Sequence, residues 1–144
     1  MFCVTRRYQF SASHRLHSAQ LGEEENQQLY GKCNNPFGHG HNYVIEVSAT
    51  GPADEITGRA VDTERLDTLV NREVVKAFDH RNLNTEVPVF SEVVPTSENL
   101  GYEICRRLKH SWKEVFPGEW PKFEKVRIRE TPRNIFEVGA NEIE

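Results

Sequence analysis

Cysteine is scarce: three in 144 residues, at positions 3, 33 and 105. They are odd in number and widely scattered, which excludes the disulfide framework of a small secreted fold. Without a Cys-x-x-Cys pair a structural zinc finger is excluded as well. The three read as free thiols, so any metal must lean on the six histidines. Long apolar runs are missing too. Nothing approaches the roughly 20 residues that span a bilayer, and the start MFCVTRRYQF lacks the apolar stretch of a secretory signal. The expectation is an intracellular, cytoplasmic protein. Nor is there an excess of positive charge: the formal net charge is -4 with both signs interspersed, which gives no footprint for nucleic acid or an anionic membrane. Repeats, low-complexity segments and Gly/Ser/Pro-rich linkers are absent, so residues 1–144 read as one domain.

What is present is periodicity. From Arg6 to His14, Tyr8, Phe10 and Ala12 alternate as in a strand with one buried face, and His14 continues that face. A second strand runs from His39 to about Thr50, with Tyr43, Ile45, Val47 and Ala49 in phase with His39 and His41. Between them, Arg15 to Gly38 is a long stretch rich in Gly, Asn and Pro, with one helical turn around Glu23 to Leu29; loops of that length usually carry function. Asp62 caps a helix whose stripe is Leu66, Leu69, Val70, Val74 and Ala77, ending near Asp79. A second helix follows Pro95, capped by Thr96 or Ser97, with Leu100, Ile104, Leu108 and Trp112 spaced four apart and Cys105 as a core residue. Lys122 to Glu130 alternates again, and a turn at Thr131–Asn134 leads to a last strand from Ile135 to about Gly139. The order ββααββ describes an α+β domain, an antiparallel sheet with two helices on one face.

Residues two apart on a strand point the same way, so His39 and His41 can reach one ion, and His14 joins them from the neighbouring strand. Any one of them could be an ordinary hydrogen-bonded core histidine, but three neutral imidazoles converging without a partner are costly to bury. Three protein nitrogens with one open position are the arrangement of catalytic zinc. Cys33, in the polar loop beside Lys32, is either an exposed thiol or, near a divalent cation and a lysine, a thiolate of lowered pKa able to act as a base. Asp79-His80 offers a proton relay, though Asp-His is also a common helix end. Glu130 falls on an inward face with Val126 and Ile128. It is either internally ion-paired or free to accept two parallel hydrogen bonds from an amidine-like ligand edge, such as a pterin presents.

With these residues placed, the chain resembles the 6-pyruvoyltetrahydropterin synthase family nearly end to end. The resemblance rests on FSASHRLHS (Phe10 to Ser18), EEN (Glu24 to Asn26), YGKCNNPFGHGHNY (Tyr30 to Tyr43), DHRNLN (Asp79 to Asn84), TSEN (Thr96 to Asn99) and RETPRN (Arg129 to Asn134). It implies the tunnelling fold, in which subunits join their sheets into trimeric barrels that stack as a homohexamer, with active sites between subunits. It implies zinc on His14, His39 and His41, Cys33 as the base, Asp79 and His80 as its relay, and Glu130 as the pterin anchor. Thr96 and Ser97 would line the pterin pocket and Arg15 would meet the triphosphate. The implied reaction eliminates triphosphate from 7,8-dihydroneopterin triphosphate and gives 6-pyruvoyltetrahydropterin, a step of tetrahydrobiopterin synthesis. Thr96-Ser97 stands where eukaryotic members carry two threonines. The segment Lys109 to Lys122, with Trp112 and Trp120, and the tail to Glu144 leave substrate preference open. Two rivals follow: the carboxytetrahydropterin synthase branch of deazapurine synthesis, which commonly has a shorter interval than Cys33-x5-His39, and a non-catalytic module in which zinc merely holds strands together.

Overall fold

A computed structural model describes all residues, 1–144. Five strands form one sheet in the order β3-β1-β2-β4-β5. β1 (Phe2–His14) and β2 (His39–Gly51) pair antiparallel along their whole length, from Phe2 opposite Gly51 to His14 opposite His39. β4 (Lys122–Thr131) pairs antiparallel with β2, with a bulge between Ser48 and Ala49, and β5 (Asn134–Gly139) closes a hairpin onto β4. The hairpin turn is held by Thr131 Oγ1, which accepts from the Arg133 and Asn134 amides. β3 is only Arg81–Asn82, parallel to Ala12–Ser13 of β1. It is too short to leave a periodic signal in the sequence.

Two helices cover one face. α2 (Thr63–Val70) starts at Asp62, whose carboxylate accepts from the Glu64 and Arg65 amides, a standard satisfaction of orphan N-terminal donors. It continues through a π turn, Asn71–Val75, to Lys76–Phe78. The π turn shifts the register by one, so Phe78 is buried where the plain helical stripe pointed to Ala77, which packs only at the margin. The other helix, α3 (Ser97–Val115), takes Thr96 as N-cap and buries Leu100, Ile104, Leu108 and Trp112 as the spacing requires. It approaches β4 closely at Gly101, where a Cβ would stand 3.1 Å from Ile128 Cγ2.

The core lies between α2, α3 and the inward residues of the sheet: Phe10, Tyr43, Ile45, Val47, Val126 and Ile128 meet Leu66, Leu69, Val74, Leu100, Ile104 and Leu108. Each such side chain contributes about 1.5–3 kcal/mol on burial. Trp112 belongs to this core, stacked on Phe123 and donating its indole N–H to the Pro121 carbonyl. The tail is fastened by Lys109 Nζ, which donates to the carbonyls of Ala140 and Ile143. The connection from residue 15 to residue 38 lies outside the core. It carries α1 (Glu23–Tyr30) and a 3-10 turn (Gly31–Asn34), and its only buried residues are Asn26 and Asn34.

Candidate metal centre

The in-register pairing of β1 with β2 places His14 beside His39, and the pleat brings His41 back to the same face. The rings of His14 and His41 have centroids 4.8 Å apart, and those of His39 and His41 are 4.6 Å apart. His14 is fully buried. Its Nδ1 lies 2.8 Å from the Pro95 carbonyl oxygen, which can only accept, so Nδ1 carries the hydrogen; the Tyr43 hydroxyl stands 3.2 Å from the same atom. The lone pair is therefore on Nε2, which is buried and has no partner. Leaving such a group unsatisfied costs about 1–3 kcal/mol. A ring locked through one nitrogen and bare at the other is what a metal-binding histidine presents.

Around that nitrogen stand His41, Cys33 and Glu130. Glu130 Oε1 is 2.8 Å from His41 Nε2 and 3.8 Å from His14 Nε2, and Cys33 Sγ is 3.9 Å from His41 Nε2. The donor atoms of His14, Cys33, His41 and Glu130 all lie within 4.8 Å of one another and could hold a metal ion. Nitrogen, sulfur and oxygen donors together suit a first-row divalent cation. His39 is exposed and outside this four-atom group, although its ring adjoins that of His41.

Burial shapes the electrostatics. It pushes His14 and His41 below the ordinary histidine range, more strongly than Glu130 raises them, so both are poised neutral as ligands must be. Burial, reinforced by the Glu130 carboxylate, pushes the Cys33 thiol up. That is opposite to the lowering expected beside a cation and Lys32, because the chain by itself brings no positive charge to the sulfur and Lys32 is exposed.

The other singled-out residues are placed as follows. Ser97 is buried and donates its hydroxyl to Glu130 Oε2 at 2.7 Å, so both carboxylate oxygens are oriented and neither meets an Arg or Lys. Thr96 accepts from the Asn99 amide as the helix cap. Arg15 donates Nε to the Asn34 carbonyl and borders a cavity of about 470 Å³ shared with His17, Asn82 and Asn84. Asp79 and His80 pair with each other at 3.0 Å, and Asp79 Oδ1 accepts from the Ser11 amide. That amide, then His80, holds the Asp79 carboxyl below the usual range. His80 has φ 58° and is 83% exposed at its side chain; it borders an open depression that His41 also lines, and within one chain neither Asp79 nor His80 makes a bond to Cys33. Residue patterns gave no sign of the Pro95 carbonyl that locks His14, or of the Asn34 amide behind Cys33.

The chain matches, over residues 3–141, the model of the family described as 6-pyruvoyl tetrahydropterin synthase. It is 42% identical over 132 residues to 6-pyruvoyl tetrahydrobiopterin synthase of Poecilia reticulata, covering 92% of this chain and 86% of that one. To the protein of the same name from Homo sapiens it is 42% identical over 132 residues, covering 92% and 87%. The solved structure of Caenorhabditis elegans 6-pyruvoyl tetrahydropterin synthase superposes with a TM-score of 0.83 at 40% identity, covering 96% of this chain and 94% of that one. With His14, His41 and Glu130 of the sheet gathered beside the Cys33 turn, the chain belongs to the 6-pyruvoyl tetrahydropterin synthase family.

Proposed function

We propose that this protein is a zinc-dependent lyase that converts 7,8-dihydroneopterin triphosphate to 6-pyruvoyltetrahydropterin and triphosphate. The observation that carries the reading is the bare, buried Nε2 of His14 facing His41, Cys33 and Glu130. His14 and His41, with His39 from the same strand, are the zinc ligands. Zinc, when bound, supplies Lewis-acid polarisation of the substrate's side-chain oxygens. Glu130, oriented by Ser97, accepts two parallel hydrogen bonds from the pterin ring N–H and amino group. Its Oε1 faces His41 Nε2, and a metal held at that nitrogen would leave the oxygen free for the ligand. Cys33 removes protons from the substrate carbons beside those oxygens, and the half-buried setting of its sulfur keeps bulk water from competing. Thr96 rims the pterin pocket and Arg15 faces the triphosphate. Triphosphate leaves by elimination and the remaining steps move hydrogens within the substrate, so no external redox cofactor enters.

Asp79 and His80 serve as the proton relay, and since neither is bonded to Cys33 in one chain, the relay is read as acting across two copies. Assembly by continuation of the sheet supports this. β3 covers only Ala12 and Ser13 of β1, and Asp79 and His80 satisfy Ser11, which leaves that strand's outer edge before Ser11 without a strand partner, and β5 is open at the other edge. A homohexamer built as a dimer of trimers is the assembly proposed. No helix is long and apolar enough to cross a membrane, and a cytoplasmic location is part of the same proposal.

Purified protein given dihydroneopterin triphosphate and magnesium is expected to yield pyruvoyltetrahydropterin; carboxytetrahydropterin with acetaldehyde would overturn the choice of product. Cys33→Ala is expected to abolish turnover while zinc content and oligomeric state survive. Unchanged turnover in that variant would remove the thiol's role.

A further inference from the structure

The loop that delivers Cys33 has almost no apolar support. Between residues 15 and 38 the buried residues are two asparagines, Asn26 and Asn34, so the segment is organised by amides rather than by a hydrophobic cluster. Asn34, 5% exposed, directly follows Cys33. Its Nδ2 lies 2.7 Å from the Leu16 carbonyl, which can only accept, so the amide orientation is determined; the same nitrogen donates to His17 Nδ1 at 3.1 Å. Two further bonds join the same segments: the Leu16 amide donates to the Cys33 carbonyl at 2.6 Å, and Arg15 Nε donates to the Asn34 carbonyl at 3.1 Å. The receiving segment is itself fixed, because the Asn84 side chain accepts from the Arg15 amide and donates to the Arg15 carbonyl. Residues 15–17 follow His14 directly, so the peptide of Cys33 is hung from the end of the strand that carries the innermost histidine.

We propose that Asn34 is a positioning residue for the reaction: its amide, bonded to Leu16 and His17, sets the distance of Cys33 Sγ from the histidine cluster. Asn26 provides the contrast. Its amide ties Ser18, Leu21 and Gly22 together at the start of α1 and makes no bond to the Cys33 peptide. Arg15 belongs to the same suspension, since its Nε is committed to the Asn34 carbonyl while the rest of the guanidinium faces the cavity.

The kinetic consequence rests on Cys33 being the base; the positional one does not. In the assembled protein with Cys3→Ser, which removes the one exposed thiol, Asn34→Ala and Asn34→Asp are compared with Gln28→Ala, a change at an exposed residue of α1 in the same connection. Both Asn34 variants are expected to lower kcat about 10- to 100-fold, the scale of a roughly 1 Å misplacement of a reacting group, with KM and zinc content little changed. They should also speed alkylation of Cys33 by iodoacetamide at fixed pH, as the thiol leaves its half-buried seat. Gln28→Ala should leave both readouts near those of the parent. Wild-type kcat and alkylation rate in the Asn34 variants, or the same losses in Gln28→Ala, would overturn the proposal. In the unmodified protein the Leu16 amide must be protected from hydrogen exchange, and free exchange there would overturn it without any variant. Faster alkylation in Asn34→Ala together with full turnover in Cys33→Ala would discard the base while keeping the pinning.

Discussion

Replacing His14 by leucine has a small consequence without metal and a large one with it. In chelated protein the substitution removes the unpartnered Nε2, a relief of about 1–3 kcal/mol, and leaves the Pro95 carbonyl and the Tyr43 hydroxyl without their Nδ1 partner, a cost of about 1–3 kcal/mol each. The side chain is fully buried, and leucine retains apolar packing at the site. The metal-free variant should therefore lose about 1–3 kcal/mol. Zinc changes the comparison. A ligand present at about 1,000 times its dissociation constant stabilises the folded chain by about 4 kcal/mol. At about 3 °C per kcal/mol for a chain of this size, that is a rise in Tm of about 12 °C. Loss of the innermost nitrogen should shrink the rise to a third or less. The assay is calorimetric melting of parent and His14→Leu at one protein concentration, each in chelator and in excess zinc. Equal zinc-induced shifts in the two proteins would refute the assignment of Nε2 as a ligand. A large loss of stability in chelator alone would refute the argument that Nε2 is an unmet cost.

Two further outcomes follow from packing and charge. In chelated protein, burial holds His14 and His41 below the ordinary histidine range. As pH falls below about 6.5 the unfolded chain therefore binds protons that the folded chain does not, and stability declines with pH down to the depressed folded values. Urea midpoints between about pH 7 and pH 5 should drop for chelated protein and drop at least as steeply for zinc-loaded protein, whose ligand histidines take up no proton while the metal is bound; a midpoint that rises on acidification would contradict the sign. Gly101→Val should destabilise by about 1–3 kcal/mol, because its Cβ would meet Ile128 Cγ2 at 3.1 Å and push α3 off the sheet. An unchanged urea midpoint would mean the helix can move away without cost.

The sheet and its helices were readable because burial imposes a period. Tyr43, Ile45 and Val47 alternate for the same reason that they are buried, and Leu100, Ile104 and Leu108 recur every fourth residue for the same reason that α3 lies on β4. That logic extended to the site wherever a functional residue sat on a regular element. His39 and His41 share a face because they are two apart, and Glu130 points inward because it is two beyond Ile128. It failed where the period was broken. The π turn in α2 exchanges Ala77 for Phe78 in the core, and no residue type in Asn71–Val75 announces an extra residue in a turn.

The parts of the site that stayed hidden are those built from backbone or from polar residues in a loop. The tautomer of His14 is decided by the carbonyl of Pro95, eighty-one residues away in sequence, and a carbonyl carries no side-chain signature. Asn34 looks like any loop asparagine until its amide is seen buried against Leu16 and His17, because polar packing needs matching donors and acceptors rather than a repeat. The same distinction explains the thiol. Lys32 beside Cys33 in sequence pointed to a lowered pKa, but neighbouring residues in a tight turn project differently, so the lysine lies in solvent while the sulfur turns toward Glu130 and His41. Adjacency along the chain measures what a residue is bonded to, and the electrostatics of a buried group are set by what it faces.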